Sequence, residues 1–159
     1  MKFMCIAVLL TELSTSAIAQ GLPTRKVLTI DVALAIAQEA MAKCRADGYK
    51  ATVTVVDSGN AVKVVLRDDG ASLGTMELGR LKAGTAAIFG RPSGPPANLP
   101  PGVPVPPPLL PNTTTAPGGV PIKVGGEVIG AVSVAGAPTG AQDTACVNAG
   151  LAKVADKLQ

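Results

Sequence analysis

Residues 118–137 read GGVPIKVGGEVIGAVSVAGA, and this stretch decides the fold. Two β-rich runs, Pro121–Val124 and Glu127–Ala135, flank Gly125-Gly126. A Gly-Gly pair between such runs is a strong signal for a two-residue hairpin, because both central residues can adopt positive φ. In the second run Ile129, Ala131, Ser133 and Ala135 alternate with Val128, Val132 and Val134. Side chains of a strand alternate between its faces, so both faces here are largely apolar. Such a strand needs cover on both sides.

Working upstream, Ala51–Val56 and Ala61–Arg67 are also β-rich, and Asp57-Ser58-Gly59-Asn60 between them is a dense turn signal. They form a second antiparallel hairpin. Leu28–Asp47 reads as a helix with Thr29 as N-cap and Asp31 in the first turn, where the helix dipole favours an acid. Its apolar stripe is expected to be Ile30, Leu34, Ala37, Met41 and Cys44, and Gly48 is placed to end it. Ser72 to about Phe89 reads as a second helix capped by Ser72. It carries Gly74, Gly79 and Gly84, each costing roughly 1 kcal/mol relative to alanine. These glycines suit either close packing against another backbone or room for a bulky ligand. Gln142–Leu158 closes the chain as a helix buried through Val147, Leu151, Val154 and Leu158.

Between the second helix and the 118–137 hairpin lies Pro92–Pro117, with eleven prolines. It can form neither a helix nor a central strand. A surface loop, or an arm laid on a neighbouring subunit, fits it better than a docking peptide. The order is helix, hairpin, helix, proline-rich loop (about 92–117), hairpin, helix. Antiparallel hairpins covered by helices make an α+β domain, and 159 residues fit one.

The first nineteen residues read as a signal peptide. Lys2 supplies the positive end, Ile6–Leu10 the apolar core, and Ala17-Ile18-Ala19 the cleavage pattern. The run is too short and interrupted to span a bilayer. The expectation is a single domain over 20–159, periplasmic or secreted, with no membrane association after cleavage. Loss of Lys2 and Glu12 leaves the net charge of +3 unchanged. That mild excess, without a basic run or interleaved aromatics, points away from nucleic acid. Cys44 and Cys146 remain after cleavage; they either pair in an oxidising compartment or pack as two buried thiols.

The chain has no histidine. The commonest general base near neutral pH and the commonest nitrogen ligand for metals are therefore missing. Tyr49 and Phe89 are the only aromatics beyond the leader, so a flat ligand must rest on aliphatic side chains.

Polar chemistry concentrates in Arg67–Ala86. Here Asp68 or Asp69 can accept backbone N–H groups at the start of the helix, with Arg67 paired to a carboxylate. Glu77 and Arg80 are placed to pair. Arg67 and Lys82 can instead stand at a pocket edge and receive anionic groups, with Thr85 one turn beyond Lys82. An enzyme acting on an anionic organic acid would need Asp57, Asp69 or Glu77 as a base, with its pKa raised by burial. Asp57, Asp68 and Asp69 match no metal loop, and turn chemistry explains the same residues. Phosphate-binding, dinucleotide, nucleophile-elbow and zinc patterns are absent, and no catalytic residue is assigned.

Four phrases, taken in order, resemble the HbpS/GlcG family of haem-binding-like proteins, related to the C-terminal domain of PduO proteins. They are VVDSGNAVKVVLRDDGA at 55–71, KAGTAAIFGRPS at 82–93, the opening stretch at 118–137, and QDTACVNAGL at 142–151. The resemblance implies a profilin-like α-β-α sandwich, homo-oligomeric assembly and, in exported members, haem (heme) binding. It places Thr85 in the hydroxyl region implicated in haem contact. Without imidazole, the remaining candidate iron ligands are Thr85, a thiolate, Met76, Tyr49 or a held water. The ligand-binding residues expected are thus Thr85, Lys82 and Arg67. The function expected is tetrapyrrole storage, scavenging or sensing rather than catalysis, with an interaction module as a further alternative.

Overall fold

The computed structural model describes residues 24–96, 100, 102 and 110–159. The expected leader and most of the proline-rich centre, including Pro106–Pro108, lie outside the described residues. The elements are α1 (Ile30–Ala46), β1 (Thr52–Asp57), β2 (Val62–Arg67), α2 (Gly74–Phe89), β3 (Gly119–Val124), β4 (Glu127–Ala135) and α3 (Gly140–Lys153). A short 3-10 turn at Ala155–Lys157 follows. The strands form one antiparallel sheet in the order β2-β1-β4-β3.

The α+β sandwich expected from residues 118–137 is what forms. Gly125 and Gly126 both take positive φ, 57° and 87°, which closes the β3–β4 hairpin in two residues. Strand β4 is central and buried from Ile129 to Ala135. Val53, Val55, Val132 and Val134 face α1 and α3, where they join Ile36, Ala40 and Val147 in the main core. On the opposite face Val56 and Ala131 meet Ala83, Ala86 and Ala87 of α2. The β1–β2 turn is held by Asp57, whose Oδ1 accepts the amides of Gly59 and Ala61 at 2.9 and 3.0 Å.

Three local expectations change. The buried stripe of α1 runs through Ala33, Ile36, Ala37, Ala40, Met41 and Cys44, leaving Ile30 and Leu34 outside. Small residues turn inward because α1 and α3 pack closely: a Cβ on Gly150 would lie 3.1 Å from the Ala40 Cβ. Helix α2 begins after Leu73 with no side-chain cap, and Ser72 offers only its carbonyl, to Thr75. Helix α3 starts earlier than expected, with Thr139 as its cap. Cys44 and Cys146 form a disulfide that ties α1 to α3. Among the described residues no helix is long and apolar enough to cross a membrane.

Candidate functional site

Helix α2 lies across β1, β4 and β3 and barely touches β2. Two of its glycines explain how it sits. A Cβ on Gly79 would come within 2.9 Å of the Thr54 hydroxyl, and one on Gly84 within 2.8 Å of Asn60 Oδ1. Close packing, rather than room for a ligand, accounts for both. The hydroxyls of Thr52 and Thr75 bond at 2.7 Å, and Ser133 Oγ donates to the Gly79 carbonyl at 2.6 Å, which sets the helix against the sheet.

Lys82 and Thr85 sit beneath the segment that leads into β3. Lys82 is 3% exposed. Its ammonium donates to Asp143 Oδ2 at 2.6 Å and to the Val134 carbonyl at 3.0 Å. The Thr85 hydroxyl donates to the Leu81 carbonyl at 2.7 Å and accepts the Thr114 amide at 2.8 Å. Nearby, Ser93 Oγ donates to the Ala116 carbonyl and accepts the Gly119 amide. The two residues are close together, as their spacing requires, but they are buried and engaged rather than standing at a rim. Asp143 and Ser93 were not singled out from the sequence. Ser93 takes its partners from the segment leading into β3, and Asp143 takes Lys82 from α2 while also accepting the nearby Ala137 amide, so no local spacing announced the ion pair.

Arg67 is elsewhere. Its Nη1 donates to the Ala71 carbonyl at 2.5 Å instead of pairing with a carboxylate. The neighbouring acid, Asp68, is held from α1: Arg45 Nε and Nη2 donate to Asp68 Oδ1 at 3.1 and 2.8 Å. That hydrogen bond from Arg45 holds the buried Asp68 carboxyl below the usual carboxylate range, against the opposing effect of burial. Glu77 and Arg80 pair as expected, at 2.8 Å. Among the described residues no three acids or cysteines cluster as a metal site.

Two grooves border the exposed edge strand. One, of about 600 Å³, runs between α1 and β2 and is lined by Gln38, Met41, Ala42, Arg45, Val65, Leu66 and Arg67. The other, of about 360 Å³, lies between β2 and α2 and is lined by Thr54, Val62, Val65, Leu73, Met76, Glu77 and Arg80. Both volumes lie within the range of small-molecule sites. The structure therefore brings Lys82 and Thr85 together and sets Arg67 apart, on the first groove. The Arg67–Ala71 bond also steadies the turn that carries Leu73 to the second.

These features define a small α+β sandwich with apolar clefts along one open sheet edge. The chain belongs to the HbpS-like family: the family model described as "Haem degrading protein HbpS-like" matches residues 28–152. The crystal structure of HbpS is 29% identical, with a TM-score of 0.72, covering 86% of this chain and 96% of that one. A double mutant of Streptomyces reticuli HbpS is 28% identical, with the same TM-score, covering 86% and 93%. The haem complex of PduOC shares the fold, at 21% identity and a TM-score of 0.70, covering 80% of this chain and 95% of that one. No curated protein matches the chain.

Most side chains that could ligate haem iron are engaged elsewhere. Cys44 and Cys146 are consumed by their disulfide, so neither supplies a thiolate. The Tyr49 hydroxyl accepts a hydrogen bond from Gln142 at 2.9 Å. Met76 is 44% exposed on the smaller groove. Thr54 also lines that groove, and its buried hydroxyl has no hydrogen-bond partner. That groove offers apolar walls and a thioether to a flat ligand, but its guanidinium, Arg80, is already paired with the Glu77 carboxylate that lines it too.

Proposed function

We propose that this protein is an exported, homo-oligomeric haem- or tetrapyrrole-binding protein that stores, scavenges or senses its ligand. The observation that carries the reading is the family match across 28–152, on a chain whose open edge strand is flanked by apolar grooves. Family members described as haem-degrading, and a haem complex on the same fold, favour this ligand class over an organic acid. The disulfide supports export, since such bonds persist in oxidising compartments.

In this reading the protein itself binds and orients. Haem, when bound, supplies the redox and ligand-exchange chemistry. Aliphatic groove walls exclude water from the ring, and Arg67 offers a guanidinium to a carboxylate at the end of the larger groove. Lys82 and Thr85 act through the segment they hold, keeping α2 and residues 113–119 in place. Titration of the purified protein with hemin is expected to give a saturable, stoichiometric Soret shift. Arg67→Ala weakens it, and Lys82→Ala or Thr85→Ala lowers stability as well. A featureless response, like that of an unrelated protein, rejects the reading. Light scattering at micromolar concentration checks the assembly, and a monomer there rejects the oligomer.

A further inference from the structure

The sheet has two edges, and they are finished differently. Edge strand β3 carries Pro121, which has no N–H, and its register shifts between Ile122 and Lys123. Edge strand β2 has no proline, and from Val64 to Arg67 it runs in regular register with β1. The Asp68 amide donates to the Ala51 carbonyl at 3.0 Å. Bonded pairs alternate along an antiparallel ladder, so Val64 and Leu66 also bond inward. Val65 and Arg67 therefore turn their N–H and C=O groups to the open side.

The larger groove is lined by Val65, Leu66 and Arg67 in succession. Successive side chains of a strand point to opposite faces, so what these three share is the free backbone edge. Val65 also lines the smaller groove. The two grooves are thus the two sides of one slot along β2. Met41, Ala42 and Arg45 of α1 overhang one face, and Leu73 and Met76 at the start of α2 overhang the other. A strand laid in this slot would send alternate side chains to each. Strand β2 itself holds two cations, Lys63 and Arg67, and no acid. In an antiparallel pairing with a second copy centred on Val65, each Lys63 would oppose Arg67 of the other copy. Like charges opposed across a ladder are destabilising, and an edge lysine guards against self-pairing. The same two cations attract carboxylates, and Arg67 commits only Nη1, to the Ala71 carbonyl.

We infer that β2 is a strand-addition site for an extended acidic peptide, in which two carboxylates flank a short apolar run. Backbone bonds at Val65 and Arg67 supply affinity, and the alternating side chains supply register. The residue opposite Val65 packs against Leu73 and Met76, and its two neighbours face α1. Carboxylates two positions to either side meet Lys63 and Arg67. The larger groove is also where the ring is placed above, so ring and strand are alternative occupants, and the inference does not rest on haem.

The probe is a fluorescein-labelled, end-capped peptide, Thr-Glu-Val-Val-Val-Glu-Thr. Its binding to the whole protein, without hemin, is read by fluorescence anisotropy and is expected to saturate. Methylating the amide nitrogen of the central valine removes the donor that faces Val65 and should weaken binding about tenfold, the scale of one backbone bond. Replacing both glutamates by lysine should weaken it as much. Val65→Pro deletes the outward N–H and leaves the inward bonds of β2, so binding is lost while the circular dichroism spectrum is kept. Lys63→Glu should reverse the preference between the glutamate and lysine peptides. No saturable binding, or equal binding of the N-methylated or the lysine peptide, overturns the inference. So does a wild-type assembly that light scattering shows to come apart in Val65→Pro, because a second copy then fills the slot. The hemin titration is read on peptide-free protein, and its outcome is separate from all of these.

Discussion

The two faces of the sheet are built from different chemistry. Toward α1 and α3 the strands present Val53, Val55, Ile122, Val132 and Val134 to a continuous aliphatic core, closed by the Cys44–Cys146 bond. Toward α2 they present Thr52, Thr54 and Ser133, with only Val56 and Ala131 meeting the helix's alanines. The first face gains stability from burial, which is non-directional and scales with area. The second gains position: Thr52–Thr75, Ser133–Gly79 and Lys82–Asp143 fix the helix through directional bonds. A helix placed by such bonds need not cover the whole sheet. It leaves β2 open on that face, and the α2–β2 groove lies there.

The comparison is broken most severely by removing the staple of the aliphatic face. The bond spans a sequence separation of 102 residues, and closure of a loop that long contributes about 4–5 kcal/mol in the chain-entropy model. Cys44→Ala/Cys146→Ala should therefore lower the urea midpoint strongly, and a loss below about 1 kcal/mol would show that the core holds this face unaided. On the other face, Lys82→Met strands the buried Asp143 carboxylate and should cost about 3–5 kcal/mol. Replacing both partners, Lys82→Met/Asp143→Leu, removes the stranded charge and should recover most of the loss. If the double variant is as unstable as the single one, the pair does more than neutralise itself.

Elements were legible where the signal is local. Gly125-Gly126 and the alternation through 128–135 specify a hairpin and a two-sided strand, and both formed. Asp57–Asn60 specify a turn, and Asn60 adopts φ 64° there. On the inward face of α1, Ala37, Met41 and Cys44 are buried as their spacing predicts, but Ile30 and Leu34 are not: alanine carries little hydrophobic contrast, so the pattern favours the larger residues although packing against α3 requires small ones. The site was harder to read for a related reason. Lys82 finds Asp143 across 61 residues, and Arg45 reaches Asp68 from a different helix. Residue type announces that a charge needs a partner, but not which element brings one. Arg67, expected to pair with a carboxylate, donates to the Ala71 carbonyl instead.

Two smaller changes sharpen the contrast at the point where α2 meets the sheet. Gly79→Ala gains helix propensity of about 1 kcal/mol. Its new Cβ would nevertheless stand 2.9 Å from the Thr54 hydroxyl and 3.6 Å from that of Ser133. Overpacking of this kind costs about 1–3 kcal/mol, so a net loss is expected in thermal melts. A gain in melting temperature would mean that α2 can lift off the sheet without penalty, contrary to a helix held by directional bonds.

Thr54→Val is the subtlest change and the most informative. Valine keeps the shape and removes a buried hydroxyl that has no partner, so stability should rise by about 1 kcal/mol. Were the hydroxyl a packing accident, hemin affinity would be unchanged. If it is retained for a ligand in the α2–β2 groove, the variant should be more stable and bind hemin more weakly, the two effects moving in opposite directions. Calorimetric melts beside a hemin titration of the same preparation read both. A variant that loses stability would show instead that the Thr54 hydroxyl is satisfied in solution, which would remove it as a reason to set this groove apart from an ordinary apolar cleft.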